Sequence, residues 1–366
     1  MRSWKMFFRK HIAACSIFLF PLNLFSQGLS AYSDYKNYFY AFDNGVSKQL
    51  EYLPVQWYKI GANTIAYLDN SNTFKAYYKG EKITLLDAAP TDYIVNDNMI
   101  IYYAGKTLSI FENGTTTLLS GWASNRIIGD SIVGCVDQNA SLYKIYYNGQ
   151  VRSLPDVIDN SSIGSFCAGD NILAYKNMDG YLKIYYRNQI FNTEVFQPSK
   201  YLAGANTVAF TNDATQEFNV FYKGAVTTLE TQPPVSFTVA DDMVAYVDIN
   251  QNFKVFYNGE KNDLASFAPE SYLAKDNILS YYDNVNFIVF YKGKTYTLTR
   301  NIPIGCQMSL NTLAYLDTQG HLNVFYDGKT GSVNNEKINV FQLTGNTIKF
   351  SNSMNESHFF GNGQLF

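Results

Sequence analysis

A motif that returns about every 35 residues, from residue 28 almost to residue 366, constrains this chain more than any other feature. Each copy opens on Asn or Asp, runs through apolar residues to Ala and an aromatic, and closes that half on Asp or Asn. A second run then ends in two aromatics, a polar residue and Gly. Asn63-Thr64-Ile65-Ala66-Tyr67-Leu68-Asp69 followed by Phe74-Lys75-Ala76-Tyr77-Tyr78-Lys79-Gly80 is a clean copy. Closing positions fall at Gly45, Gly80, Gly114, Gly149, Asn188, Gly224, Gly259, Gly293, Gly328 and Gly363, at intervals of 34 to 39 residues. Opening positions fall at Asn63, Asn98, Ser131, Asn171, Asn206, Asp242, Asn277, Asn311 and Asn346. Such a period is the signature of a repeat architecture, and its coverage predicts no separate catalytic domain.

The unit reads as β. In Phe253-Lys254-Val255-Phe256-Tyr257 side chains alternate between two faces, both carrying large groups, as in a strand held between neighbouring sheets. Asn113-Gly114, Asn148-Gly149 and Asn258-Gly259 have the composition of tight hairpin turns, with Lys79-Gly80, Lys223-Gly224 and Lys292-Gly293 in the same slot, so Gly is expected to supply positive φ. The joining segments hold two more short strands each, for example Asp263-Leu264-Ala265 and Ser271-Tyr272-Leu273-Ala274, bent at Pro269. Four short strands per unit is the pattern of a β-propeller blade. A lone unit would expose both faces, so neighbours must stack, which gives 30 Tyr and 27 Phe a place to go.

The expected fold is therefore an all-β propeller of nine or ten four-stranded blades, the alternatives being two smaller lobes or an open array. Ten hairpins but only nine joining segments are present, so a closed ring requires either a shared blade at the termini or an extra hairpin. The stretch from Gly149 to Asn171 is longer than the other joints around Pro155 to Ser162, and marks a loop insertion or a seam near 150–170.

Arg2, Lys5, Arg9 and Lys10 precede an apolar run from Ile12 to Phe25 and then Ser26-Gln27-Gly28, the layout of a signal peptide over residues 1–27. Cys15 sits in a lipoprotein-like context, but the apolar run continues well past it. Residues 28–366 would form the repeat domain, with no transmembrane segment after cleavage. Cleavage removes four basic residues, taking 28 basic and 31 acidic to 24 and 31, a charge of about −7. That balance, without a basic cluster, argues against nucleic acid and anionic membranes. Cys135, Cys167 and Cys306 remain; a Cys135–Cys167 bond is open, with small buried side chains the plainer role.

Ala245-Tyr246-Val247-Asp248 with Phe253-Lys254-Val255-Phe256-Tyr257-Asn258-Gly259 resembles the unit of secreted, tyrosine-rich β-propeller repeat proteins of the Bacteroidota. The ending Phe25-Ser26-Gln27 is similar to their export signals. The resemblance implies a periplasmic or surface location and a recognition or accessory role beside secretion, adhesion or gliding machinery. Asp130-Ser131-Ile132 also resembles the tripeptide that such bacteria O-glycosylate.

No catalytic, cofactor-binding or metal site emerges from the sequence. His321 and His358 lack partners at metal-ligand spacing. Asp69, Asp137, Asp248, Asp283 and Asp317 share one repeat position with Asn177, Asn212 and Asn352; interchange of Asp with Asn fits turn capping better than calcium. Gly129-Asp130-Ser131 lacks a nucleophile-elbow context and is a variant of the opening turn. Residues that depart from the repeat are the candidate partner contacts: Trp57, Trp122, Arg126, Asp156 and Asp159. The expected function is a non-enzymatic scaffold for an envelope or surface protein; a carbohydrate-binding module is the alternative and an enzyme the third choice.

Overall fold

The computed structural model describes residues 28–157, 166–338, 340–351, 356–361 and 363–366. They form ten antiparallel sheets in chain order, nine of four strands and one of three. In blade 2, Trp57–Ile60, Thr64–Leu68, Phe74–Tyr78 and Glu81–Leu86 run from the inside of the ring to its rim. The opening turn joins the first and second strands and the closing hairpin joins the third and fourth, so both lie at one end of every blade, here called the turn face. The Asp-containing turns and the Pro-bearing links occupy the opposite end, the link face.

The closing hairpins are two-residue turns with both central residues at positive φ, as the right-handed strand twist favours. Asn113 (φ 52) precedes Gly114 (φ 83), and Lys79 (φ 48) precedes Gly80 (φ 84). Gly supplies positive φ as expected, and lysine and arginine adopt the left-handed region alongside Asn in the position before the closing residue, Arg187 at φ 48 included. A register shift recurs between the third and fourth strands, at Phe74/Lys75, Phe218/Asn219 and Phe253/Lys254 among others, and marks a repeated β-bulge.

Packing between blades supplies the core. Phe74 of blade 2 is fully buried against Tyr102 and Phe111 of blade 3, with its ring 5.5 Å from that of Tyr102. Phe218 and Tyr246 repeat this contact between blades 6 and 7, and Phe253 and Tyr281 between blades 7 and 8. A buried aromatic side chain of this kind contributes about 1.5–3 kcal/mol relative to exposure. Each sheet therefore owes the dryness of both its faces to its neighbours.

The missing joining segment is resolved at blade 1, residues 29–51. Its three strands, Leu29–Ser33, Phe39–Asp43 and Val46–Glu51, are the counterparts of the second, third and fourth strands elsewhere, and it has no innermost strand. Blades 1 and 10 close the ring side by side. Phe42 stacks on Phe359 at 4.3 Å, Phe366 packs on Phe42 at 5.4 Å, and the Lys349 ammonium donates to the Ala31 carbonyl at 3.0 Å. In place of the absent strand, the inner ends of blades 10 and 2 meet directly: a Cβ on Gly345 would lie 3.2 Å from that of Ala62. One ten-bladed ring replaces the alternatives of two lobes or an open array. The insertion's core, residues 158–165, and the signal segment lie outside the described residues. Cys135, Cys167 and Cys306 are all unpaired, so the Cys135–Cys167 bond does not form.

Truncating Phe74 to Ala should cost about 3–5 kcal/mol in urea unfolding, the range for buried aromatics. Phe42→Ala should instead act at the closure, raising hydrogen exchange first in blades 1 and 10; uniform acceleration over all ten blades would contradict that closure.

Candidate functional site

The residue just before each opening position lies at the inner end of the ring, and five of these nine residues are acidic: Asp97, Asp130, Asp170, Asp241 and Asp276. They are brought close by unusually tight packing of the inner strands. A Cβ on Gly129 would meet the Gly169 carbonyl at 1.8 Å, and one on Gly169 would meet that of Gly204 at 2.2 Å. Backbone bonds link these turns from blade to blade: the Asn63 amide donates to the Asp97 carbonyl, Ser131 to Asp170 and Asp241 to Asp276, at 2.8–2.9 Å.

Blades 3 and 8 stand on opposite sides of a ten-bladed ring, yet carboxylate oxygens of Asp97, Asp130 and Asp276 lie within 4.8 Å of one another. The acids thus converge on the axis at the turn face. Desolvation first, and then the charges of Asp97, Asp170 and Asp276, push the Asp130 carboxyl up to about 7. Burial followed by Asp276 and Asp170 does the same to Asp241, also to about 7. Asp97 and Asp170 are raised by burial and by Asp276. Lys275 counters the effect at Asp97 and Asp130. Three carboxylate oxygens at this spacing have the hardness and geometry to accept an oxygen-loving cation, and equally to share protons. Ser131, in the glycosylation-like tripeptide, donates its hydroxyl to Asp170 at 2.8 Å and belongs to this same rim.

The Asp row read as turn capping behaves as expected. Asp69 Oδ1 accepts from the amides of Ser71 (2.9 Å) and Thr73 (2.8 Å), and Asp248 and Asp317 repeat the arrangement. These carboxylates remain separate, each in its own turn on the link face. Asp69 also pairs with Lys75 at 2.6 Å, and Lys75 with Glu51 of the preceding blade at 3.0 Å, where the Tyr67 hydroxyl joins them. Blade 7 repeats the clamp with Asp248, Lys254, Glu230 and Tyr246. Burial opposes ionisation of Asp248, but Lys254, Asn252 and the turn amides outweigh it and hold the carboxyl at about 2.

The sequence-selected contacts do not form one constellation. Trp57 is half-buried and stacks on Tyr93 of the next blade at 4.1 Å, so it packs between blades. Trp122 is 43% exposed on the link face, with the Lys106 ammonium 3.8 Å from its ring centre. Arg126 pairs with Asp92 at 2.6 Å, the hydrogen bond that chiefly lowers the Asp92 pKa, and lies over Tyr103. Asp156 accepts the Tyr175 hydroxyl at 3.1 Å, an inter-blade role like that of Glu51. Asp159 lies outside the described residues. The axial acids were missed, although their shared place one residue before the opening turn was visible in the sequence.

Raised carboxyl pKa values mean that the folded chain keeps protons that the unfolded chain releases above about pH 4. Stability from Asp130 and Asp241 is therefore complete at low pH and is lost as pH rises toward about 7. The thermal midpoint should climb on acidification from about pH 8 to about pH 5, and Asp130→Asn combined with Asp241→Asn should flatten that climb. The link-face acids act in the other direction only at lower pH, as Asp248 takes up its proton near 2.

Known proteins offer a comparison for this architecture. Residues 23–366 match the family model described as a 10-bladed beta propeller domain. No curated protein sequence matches the chain. Among solved structures, the chain is similar to the computationally designed Ika8 protein at 15% identity, covering 74% of this chain and 96% of that one, with a TM-score of 0.36. It is similar to the CRINKLY WD40 ectodomain of the Arabidopsis thaliana receptor kinase ACR4 at 7% identity, over 65% and 97% of the two chains, TM-score 0.32. For human WBSCR16 the values are 8% identity, 68% and 78% coverage, and TM-score 0.31. These three likenesses carry no functional argument. The family match spans the ring from blade 1 to blade 10, and the chain belongs to the 10-bladed beta propeller domain family.

Proposed function

We propose that the protein is an exported, non-catalytic recognition scaffold that holds a protein partner of the cell envelope or surface against its link face. One observation carries the reading: large apolar side chains stand in water along the links. Tyr52, Leu53, Trp122, Phe196, Phe267 and Ile304 are all exposed there, between 43% and 74%. The hairpins of the turn face present Asn, Lys and Gly instead, as at Asn113-Gly114 and Lys79-Gly80. Apolar groups repeated around one face, each set among polar turn residues, suit a macromolecular contact, and exposed Trp and Tyr make effective anchors.

Link sequences differ from blade to blade while the hairpins stay constant, which favours one asymmetric partner over many equal ligands. The basic and apolar segment at residues 1–27 supports export, and the acidic balance of the remainder supports a partner other than nucleic acid.

Affinity purification of the mature protein after cross-linking in its own cells tests the reading. One stoichiometric envelope protein should be recovered, and Trp122→Ser with Phe267→Ser should reduce its recovery about tenfold or more without shifting the thermal midpoint. Recovery of no protein, or recovery indifferent to both substitutions, counts against it.

A further inference from the structure

Blade 1 leaves a consequence on the turn face. A cavity of about 280 Å³ opens between blades 1, 2 and 3, lined by Leu29 and Asp43, by Asn63, Tyr78 and Lys79, and by Asn98 and Asn113 among others. Gly28 occupies the place that Asn63 and Asn98 hold in the next two blades, but a Cβ there would strike Thr347 of blade 10; what blade 1 lacks beside this space is an inner strand.

Comparison of equivalent hairpins singles out Lys79. Three blades carry Lys at this position. Lys223 is neutralised by Asp242, the opening residue of the next blade, at 3.1 Å. Lys292 is neutralised by Asp327, the hairpin residue of the next blade, at 2.9 Å. At Lys79 both places are amides, Asn98 and Asn113, and it makes no ion pair among the described residues. Its ammonium rests 5.1 Å from the centre of the Tyr78 ring, while the Tyr78 hydroxyl donates to Asn113 at 3.2 Å. Asn63 donates to Asn98, which orders the amide wall. Lys48 donates to the Gly80 carbonyl beside it and adds positive charge to the rim.

We propose that this cavity binds a single sugar unit bearing a carboxylate, such as a hexuronic acid. The volume is at the small end of ligand pockets, which run from ~300 Å³ upward, and suits one ring rather than a chain. Lys79 faces the carboxylate at the blade 3 side. The amides of Asn63, Asn98 and Asn113 both donate and accept, as vicinal hydroxyls require. Asp43, already held by the Tyr77 hydroxyl at 3.0 Å and Asn44 at 2.7 Å, remains an acceptor for a hydroxyl at the opposite end.

Calorimetry on the full mature chain, with glucuronate, glucose and acetate as probes, tests this. Glucuronate should bind about tenfold or more tightly than glucose or acetate, one charge-assisted contact separating it from the neutral sugar. Lys79→Asn installs the residue that other hairpins carry at the same positive φ, and should remove the preference for glucuronate over glucose. Asn98→Asp copies the pairing of Lys223 with Asp242, and should suppress glucuronate binding while Lys79 stays in place. Both variants should keep the wild-type thermal midpoint. Acetate binding as tightly as glucuronate, no heat from glucuronate at millimolar concentration, or binding unaffected by both substitutions would overturn the proposal.

Discussion

Aromatic burial between neighbouring sheets is the interaction on which the rest of this molecule depends. No sheet can keep Phe and Tyr dry on both faces alone, and contacts such as Phe74 with Tyr102 or Phe253 with Tyr281 exist only across a blade boundary. A chain held together this way has two weak places, its first and last blades, unless they meet. The stacked pair Phe42 and Phe359, with Lys349 reaching the Ala31 carbonyl, makes them meet, and the inter-blade surface becomes continuous around the ring.

Local chemistry made much of this legible in the sequence. Period, strand alternation, two-residue hairpins and Asp-capped turns are each set by a few adjacent residues, and each appears where its residues stand. Blade count and closure were harder, because they depend on how much each blade rotates relative to the last, which no single repeat encodes. The axial acids show the same limit. Asp97 and Asp276 are far apart in sequence and belong to blades on opposite sides, so only closure brings their carboxylates within 4.8 Å of Asp130. Trp57 and Asp156 stood out as departures from the repeat, yet both make contacts between blades. Departure from a consensus marks a changed neighbourhood, and a neighbourhood is as often internal as external.

The three-stranded blade shows how one omission in a repeat propagates. Without an inner strand at blade 1, nine inner strands must line a ten-bladed ring, and the ends of blades 10 and 2 move together until Gly345 abuts Ala62. Closer inner strands demand small residues at their ends, which explains Gly129, Gly169 and Gly204, where any Cβ would strike a neighbouring carbonyl. The same omission spares space on the turn face beside Leu29, where the cavity opens. The pocket's lining includes Ala62, the residue that Gly345 abuts, so it borders the place where the inner ends of blades 10 and 2 meet.

That packing also separates two populations of aspartate that composition cannot distinguish. On the link face, each Asp sits in its own turn, with backbone amides and in several blades a lysine supplying positive charge, and Asp248 ionises near 2. On the axis, carboxyls face one another, Lys275 and a few single hydrogen bonds such as those of Ser131 and the Ala205 amide oppose the effect only in part, and Asp130 and Asp241 ionise near 7. The difference arises from position in the ring: a residue that points along the rim meets its own turn, whereas one that points at the axis meets its counterparts from other blades. A closed ring of repeats therefore creates an acidic centre from residues that are individually ordinary, and recurrence of Asp at one position in five of nine blades is what supplies its members.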